Sequence, residues 1–158
     1  MIKVRYTLKE SRITVATDSY GAVKEAVTAL RKHRRLLEAY IERHPAFLYS
    51  LEPVEIRDDA PDVAKRMAEA AIKAGVGPMA AVAGALADLV VEAMLTKTRV
   101  AVVENGGEVS VNSEKPVTIG ILAGRSSLSG KLAFQLLKDD MPLGVGTSSG
   151  TVGHALSF

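Results

Sequence analysis

An α+β fold, an antiparallel sheet with packed helices, is predicted by three features of this sequence. Ile2, Val4, Tyr6 and Leu8 alternate with Lys3, Arg5, Thr7 and Lys9, the period-two mark of a strand with one buried face. From Ser19 to Pro45, and again from Asp58 to Leu95, apolar residues recur at helical spacing. The last third holds the β-branched runs 100–103, 109–111 and 117–122. They are separated by Asn105-Gly106-Gly107 and by Asn112 to Pro116, as in a meander of antiparallel strands.

The first strand meets a turn at Glu10-Ser11-Arg12, and Ile13 and Val15 resume the alternation, so a hairpin is expected. Ala22, Ala26, Ala29, Leu30, Leu37, Tyr40 and Ile41 then define a helix of about seven turns, with Asp18 or Ser19 to cap its start and Pro45 to close it. Its polar side carries Arg31, Lys32, Arg34 and Arg35, expected as a solvated face, and His33 and His44 are expected at the surface. Asp58 to Asp62 places negative charge at the start of a second helix, Val63 to Lys73. After the breaker Gly75-Val76-Gly77-Pro78 comes a third helix, Met79 to Leu95, rich in Ala and Gly. Such a surface admits close approach by sheet backbone or by a ligand, and the sequence leaves both open. Leu128 to Leu137 fits helix or strand, with strand favoured in its first half.

With 158 residues, 47% of them hydrophobic and 24% charged, the chain suits one domain spanning 1–158. A chain of this size buries about 70% of its unfolded surface and needs no staples. Cys is absent, which removes disulfides, thiolate metal sites and a cysteine nucleophile, and agrees with a cytoplasmic location. Aromatics are 4% without Trp, and the net charge is +2, so neither base stacking nor a basic nucleic-acid face is supplied. The charged N-terminus shows no signal peptide, and the apolar stretch 76–95 is interrupted by Asp88 and Glu92, so a membrane partner is not expected.

Three segments have backbone chemistry. Gly77-Pro78-Met79-Ala80-Ala81 opens a helix of small residues, where free N–H groups suit a phosphate. Neither the P-loop nor the dinucleotide fingerprint is present there. Glu104-Asn105-Gly106-Gly107-Glu108 reads first as a hairpin turn, but a turn needs neither the second Gly nor the flanking carboxylates. Thr147-Ser148-Ser149-Gly150-Thr151-Val152-Gly153-His154 offers hydroxyls and glycines for an anion nest, with His154 as acid, base or donor; a flexible turn uses similar residues. A Ser-His-Asp hydrolase fits poorly, since no nucleophile elbow is present.

In order and spacing these segments resemble uncharacterised protein family 0280 of the ApbE-like superfamily, together with Arg35, Tyr40-Ile41, His44-Pro45-Ala46-Phe47 and Ala60-Pro61. The superfamily includes magnesium-dependent FAD:protein FMN transferases, which cut FAD and attach FMN through a phosphoester to a Thr of a target protein on a T-fold-like scaffold. The resemblance therefore implies a flavin-nucleotide ligand such as FAD, magnesium, a protein acceptor and a homo-oligomer. It implies that Gly77, Met79, Ala80, Asn105, Gly106, Gly107, Thr147, Ser148, Ser149, Gly150 and Thr151 bind the cofactor. Glu108 would meet the metal, and His154 would be catalytic.

The departures are specific. No Lys lies between Met79 and Gly84, where the transferases carry one, and Glu108 stands where they have Asp. Thr147-Ser148-Ser149-Gly150 has one residue more than their Thr-Ser-Gly. Their distal Ala-Asp…Thr segment, which helps bind magnesium, has no counterpart up to Phe158, so the resemblance implies a domain cut short at its C-terminal end. The alternative is a non-catalytic binding or assembly domain that keeps the fold without transferase activity.

Overall fold

The structure, a computed structural model, describes residues 1–146. The segment 147–158, with Thr147, Ser148, Ser149, Gly150, Thr151 and His154, lies outside the described residues.

Strand β1 (Ile2–Leu8) pairs antiparallel with β2 (Ser11–Thr17), from Leu8↔Ser11 to Ile2↔Thr17. The turn is Lys9-Glu10, earlier than expected, with Lys9 in the left-handed region at φ 53°. Ser11 belongs to the strand, where its buried hydroxyl accepts a 2.7 Å hydrogen bond from the Arg34 guanidinium.

Helix α1 (Tyr20–Arg43) starts at Ser19, whose hydroxyl accepts from the Ala22 N–H at 3.3 Å; this decides between the two candidate caps. Its buried stripe is Ala22, Ala26, Ala29, Leu30, Leu37 and Tyr40. The expected solvated face is partly a joint. Arg34 is 13% exposed in its side chain and bonds Ser11, Glu10 and Glu38, while the Arg31 Nε–H donates to the Tyr6 hydroxyl at 2.8 Å. His33 and His44 are half-buried rather than at the surface.

The short α2 (Ala46–Tyr49) buries Phe47 edge-on against the Tyr40 ring, 5.2 Å between centroids. Helix α3 (Asp62–Ala74) ends at Gly75 in the left-handed conformation, where the Val76 N–H donates to the Ala71 carbonyl. The next helix is not continuous from Met79. Pro78–Ala81 forms a 3-10 turn, and α4 (Val82–Met94) begins after it. Gly77 is buried at this junction, packed so closely on the Ser50 carbonyl that a Cβ would overlap its oxygen.

Strand β3 (Val100–Asn105) joins β4 (Glu108–Ser113) through Gly106-Gly107, with φ of 63° and 101°. Positive φ at both turn residues matches the twist of a two-residue hairpin. The expected meander then breaks. Strand β5 (Val117–Gly120) leaves the sheet and pairs with β6 (Ala133–Leu136), while β7 (Leu143–Val145) takes the free edge of β4. The sheet order is β1-β2-β3-β4-β7, antiparallel throughout. Pro116 has no N–H for a ladder, and Ser113 takes the Lys115 N–H and returns its hydroxyl to the Lys115 carbonyl, which turns the chain away. Within 128–137 the strand occupies the second half, not the first. Turn bonds such as Ser129 N–H to Ser126 and Lys131 N–H to Leu128 hold the first half, with Gly124 and Gly130 at positive φ.

The sheet's two faces have different roles. Ile13, Val15, Ala101 and Val103 lie on one face and join α1, α3 and α4 in the main core. On the other face Val102, Val109 and Val111 meet Val117, Ile119 and Leu136 of the β5–β6 ribbon. That ribbon is covered at one end only: Leu136 is 7% exposed and Phe134 is 52% exposed. No single helix among the described residues is long and apolar enough to cross a membrane.

Candidate functional site

Period-two alternation fixes which turn residues face the helices. Asn105 pairs with Ile13 across one ladder and with Glu108 across the other, so both Asn105 and Glu108 lie on the helix-bearing face. Glu104 pairs with Val109 on the opposite face, and its carboxylate caps the turn by accepting the Gly107 N–H at 2.9 Å. The two acids expected together are therefore separated by the pleat.

Asn105 is buried, and its side-chain amide donates to the Ala83 carbonyl at 3.1 Å, which ties the turn to the first turn of α4. Between them opens a cleft of about 250 Å³ lined by Arg66, Ala70, Ala80, Ala81, Gly84, Ala85, Asp88 and Glu108. The small residues make its floor. A Cβ built on Gly84 would meet no atom within 4 Å, so this glycine leaves open space instead of serving packing. A second groove of about 520 Å³ runs along α3 and shares Arg66, Ala70 and Asp88 with the cleft.

Glu108 has no hydrogen-bond or ion-pair partner among the described residues, and burial raises its carboxyl above the ordinary value. Gly146, just past β7, lies against this carboxylate, so the chain leaves the described residues beside Glu108. Arg66 is the single cation lining the cleft among the described residues. Its guanidinium donates to Glu92 at 2.7 and 2.9 Å and pairs with Asp62 at 3.3 Å, and the Glu92 bonds hold its charge more firmly still. His33 shares this neighbourhood, and burial holds its imidazole below the usual range.

Of the residues expected at a site, the structure brings Ala80 and Glu108 to one cleft with Asn105 as its joint. Met79 packs partly on the main core, and Gly77 is enclosed by the Ser50 backbone. Gly106 and Gly107 form the exposed turn beside the cleft. Arg66 and Asp88 were not anticipated, since each is one charge among many on a helical face; only helix packing selects them. No group of three or more His, Asp or Glu side chains spaced to hold a metal occurs among the described residues.

The fold and cleft define an α+β protein whose site is built from an alanine- and glycine-lined helix and an Asn-Gly-Gly hairpin. The chain belongs to the family described as AbpE bacteria, whose pattern matches residues 3–158. It is similar to the UPF0280 protein of Methanococcus maripaludis strain C5, 47% identical over 154 residues, which cover 96% of this chain and 62% of the relative. The UPF0280 protein of Methanocaldococcus jannaschii is 42% identical over 158 residues, 99% of this chain and 64% of that relative. The one from Methanosarcina barkeri is 40% identical over 158 residues, 99% and 62% respectively. The family 0280 resemblance is thereby established, and the chain spans under two thirds of the length of these curated relatives.

Proposed function

We propose that the cleft binds the phosphates of a flavin nucleotide, FAD, as a magnesium complex, and that the whole protein performs transferase chemistry of the FAD:protein FMN type on a protein acceptor. The observation that carries this reading is the half-buried Glu108, without a partner among the described residues, in one cleft with the bare surface of Ala80, Ala81 and Gly84. Bare backbone and small side chains admit a phosphate closely, and magnesium is commonly held by one or two carboxylates together with substrate phosphates. Asp88 and Glu108 line the cleft and would be the carboxylates to meet the ion. When bound, the ion would offset phosphate charge.

The cleft's volume lies below the roughly 300–1,000 Å³ of sites that enclose a drug-sized ligand, so it suits the phosphates, with the α3 groove open to the remainder. Asn105 fixes the turn, Glu108 and Asp88 hold the cation, and the segment Thr147 to Thr151 with His154 belongs to the same proposal as further donors and a proton carrier.

FAD titrated with magnesium, followed by thermal shift and flavin fluorescence, tests the reading. Saturable binding that weakens when magnesium is chelated supports it, as does turnover to FMN and AMP that His154→Ala abolishes. No thermal shift and no fluorescence change overturns it. Binding without turnover assigns the protein to the non-catalytic alternative.

A further inference from the structure

We propose that Arg66 is the specificity-determining cation of the cleft, reading a phosphate group of the ligand, and that its bonds to Glu92 serve the packing of α3 on α4. The inference rests on the nucleotide reading above. Arg66 lines both the cleft and the α3 groove, at the point where the two share their wall. Its bonds to Glu92 use one N–H of each terminal nitrogen and Asp62 takes the second N–H of one of them, leaving the Nε–H and one N–H of the other terminal nitrogen. The side chain is 32% exposed, and its guanidinium is held between Asp62 on α3 and Glu92 on α4.

The sign of the charge around the cleft makes Arg66 decisive. Asp88 and Glu108 line the cleft, and Asp62 and Glu92 stand behind its wall. Without Arg66, Asp88 and Glu108 would face an incoming phosphate with no cation lining the cleft among the described residues. A purely structural Arg66 would serve only to tie α3 to α4.

The two roles separate through Glu92. Affinities for FAD, ADP and inorganic diphosphate, with magnesium present, are measured for the wild type and for R66Q, R66K and E92Q, alongside thermal stability. The expected result is a loss of at least about tenfold for all three ligands in R66Q, with partial recovery in R66K. E92Q, which weakens the helix tie and leaves the guanidinium paired with Asp62, loses comparable stability yet binds within about threefold of the wild type. Equal weakening in R66Q and E92Q, tracking stability, overturns the proposal, as does unchanged binding in R66Q. Binding of ADP and diphosphate but not FAD, abolished by R66Q, removes the flavin reading and leaves Arg66 standing. No binding of any of the three by the wild type overturns both.

Discussion

The Asn105 side-chain amide donates to the Ala83 carbonyl at 3.1 Å, joining a hairpin turn to a helix 22 residues earlier in the chain. This bond sets the separation between Glu108 and the small-residue floor of the cleft, because Glu108 is the ladder partner of Asn105. Asn105→Ala is expected to cost about 1–2 kcal/mol, the value of a buried hydrogen bond whose loss leaves a polar group less satisfied. Urea unfolding measures it. FAD affinity should fall along with stability, and a variant that keeps full affinity would show that the turn holds its place without this bond.

Gly77 and Gly84 should respond oppositely to the same methyl group. At Gly77 it would overlap the Ser50 carbonyl, which is backbone and cannot swing aside, so Gly77→Ala is expected to lose about 1–3 kcal/mol. At Gly84 it meets nothing within 4 Å and sits in a helix, so Gly84→Ala should gain about 0.5–1 kcal/mol. Gly84→Leu would fill the cleft floor, giving a folded protein that no longer binds. Thermal denaturation and FAD titration of the three variants check this, and tight binding by Gly84→Leu would move the ligand elsewhere.

Arg34 and Arg35 are neighbours on α1 with different expected costs. Arg34 is mostly buried among Ser11, Glu10 and Glu38 and pins the β1–β2 hairpin to the helix; Arg35 is exposed. Arg34→Ala should lose about 2–3 kcal/mol, since it removes several charge-assisted bonds and buried stem. Arg35→Ala should stay within about 0.5 kcal/mol of the parent. Chemical denaturation of the pair decides, and equal effects would contradict the observed packing.

The fold was legible wherever local periodicity dictates structure. The alternation of Ile2 to Leu8, the apolar stripe of α1 and the Asn105-Gly106-Gly107 turn each specify their element without help from the rest of the chain. The path of β5 was not, because a β-branched run says that a strand forms but not which edge it joins. Here that depends on Pro116 and the Ser113 side-chain turn. The site divides similarly. Glycines and an amide in a tight turn announce themselves, so the turn carrying Asn105 and Glu108 was legible, whereas the placing of Arg66 and Asp88 in the same cleft depends on the packing of α3 against α4.

Glu108 links stability to pH with a sign opposite to that of Asp18 and Glu38. Burial raises its folded-state value above 4.5, so its protonated form is favoured by folding. The associated stability is fully present below the unfolded value and is lost as pH rises through the folded one. Asp18, held down by the Thr98 hydroxyl, and Glu38, held down by the Lys9 ammonium, behave conversely: their contribution is present above the unfolded value and lost as pH falls through the folded one. Glu108→Gln removes the burial cost of a charge while keeping shape, so at pH 7 its Tm should exceed that of the parent, with the gain shrinking as the solution is acidified toward pH 4. The same variant should lose magnesium-dependent FAD binding, because an amide is a poor substitute for a carboxylate toward a hard cation. Thermal melts across pH with parallel titrations measure both. A variant that is more stable but binds as before would leave Glu108 buried for a reason other than the ion.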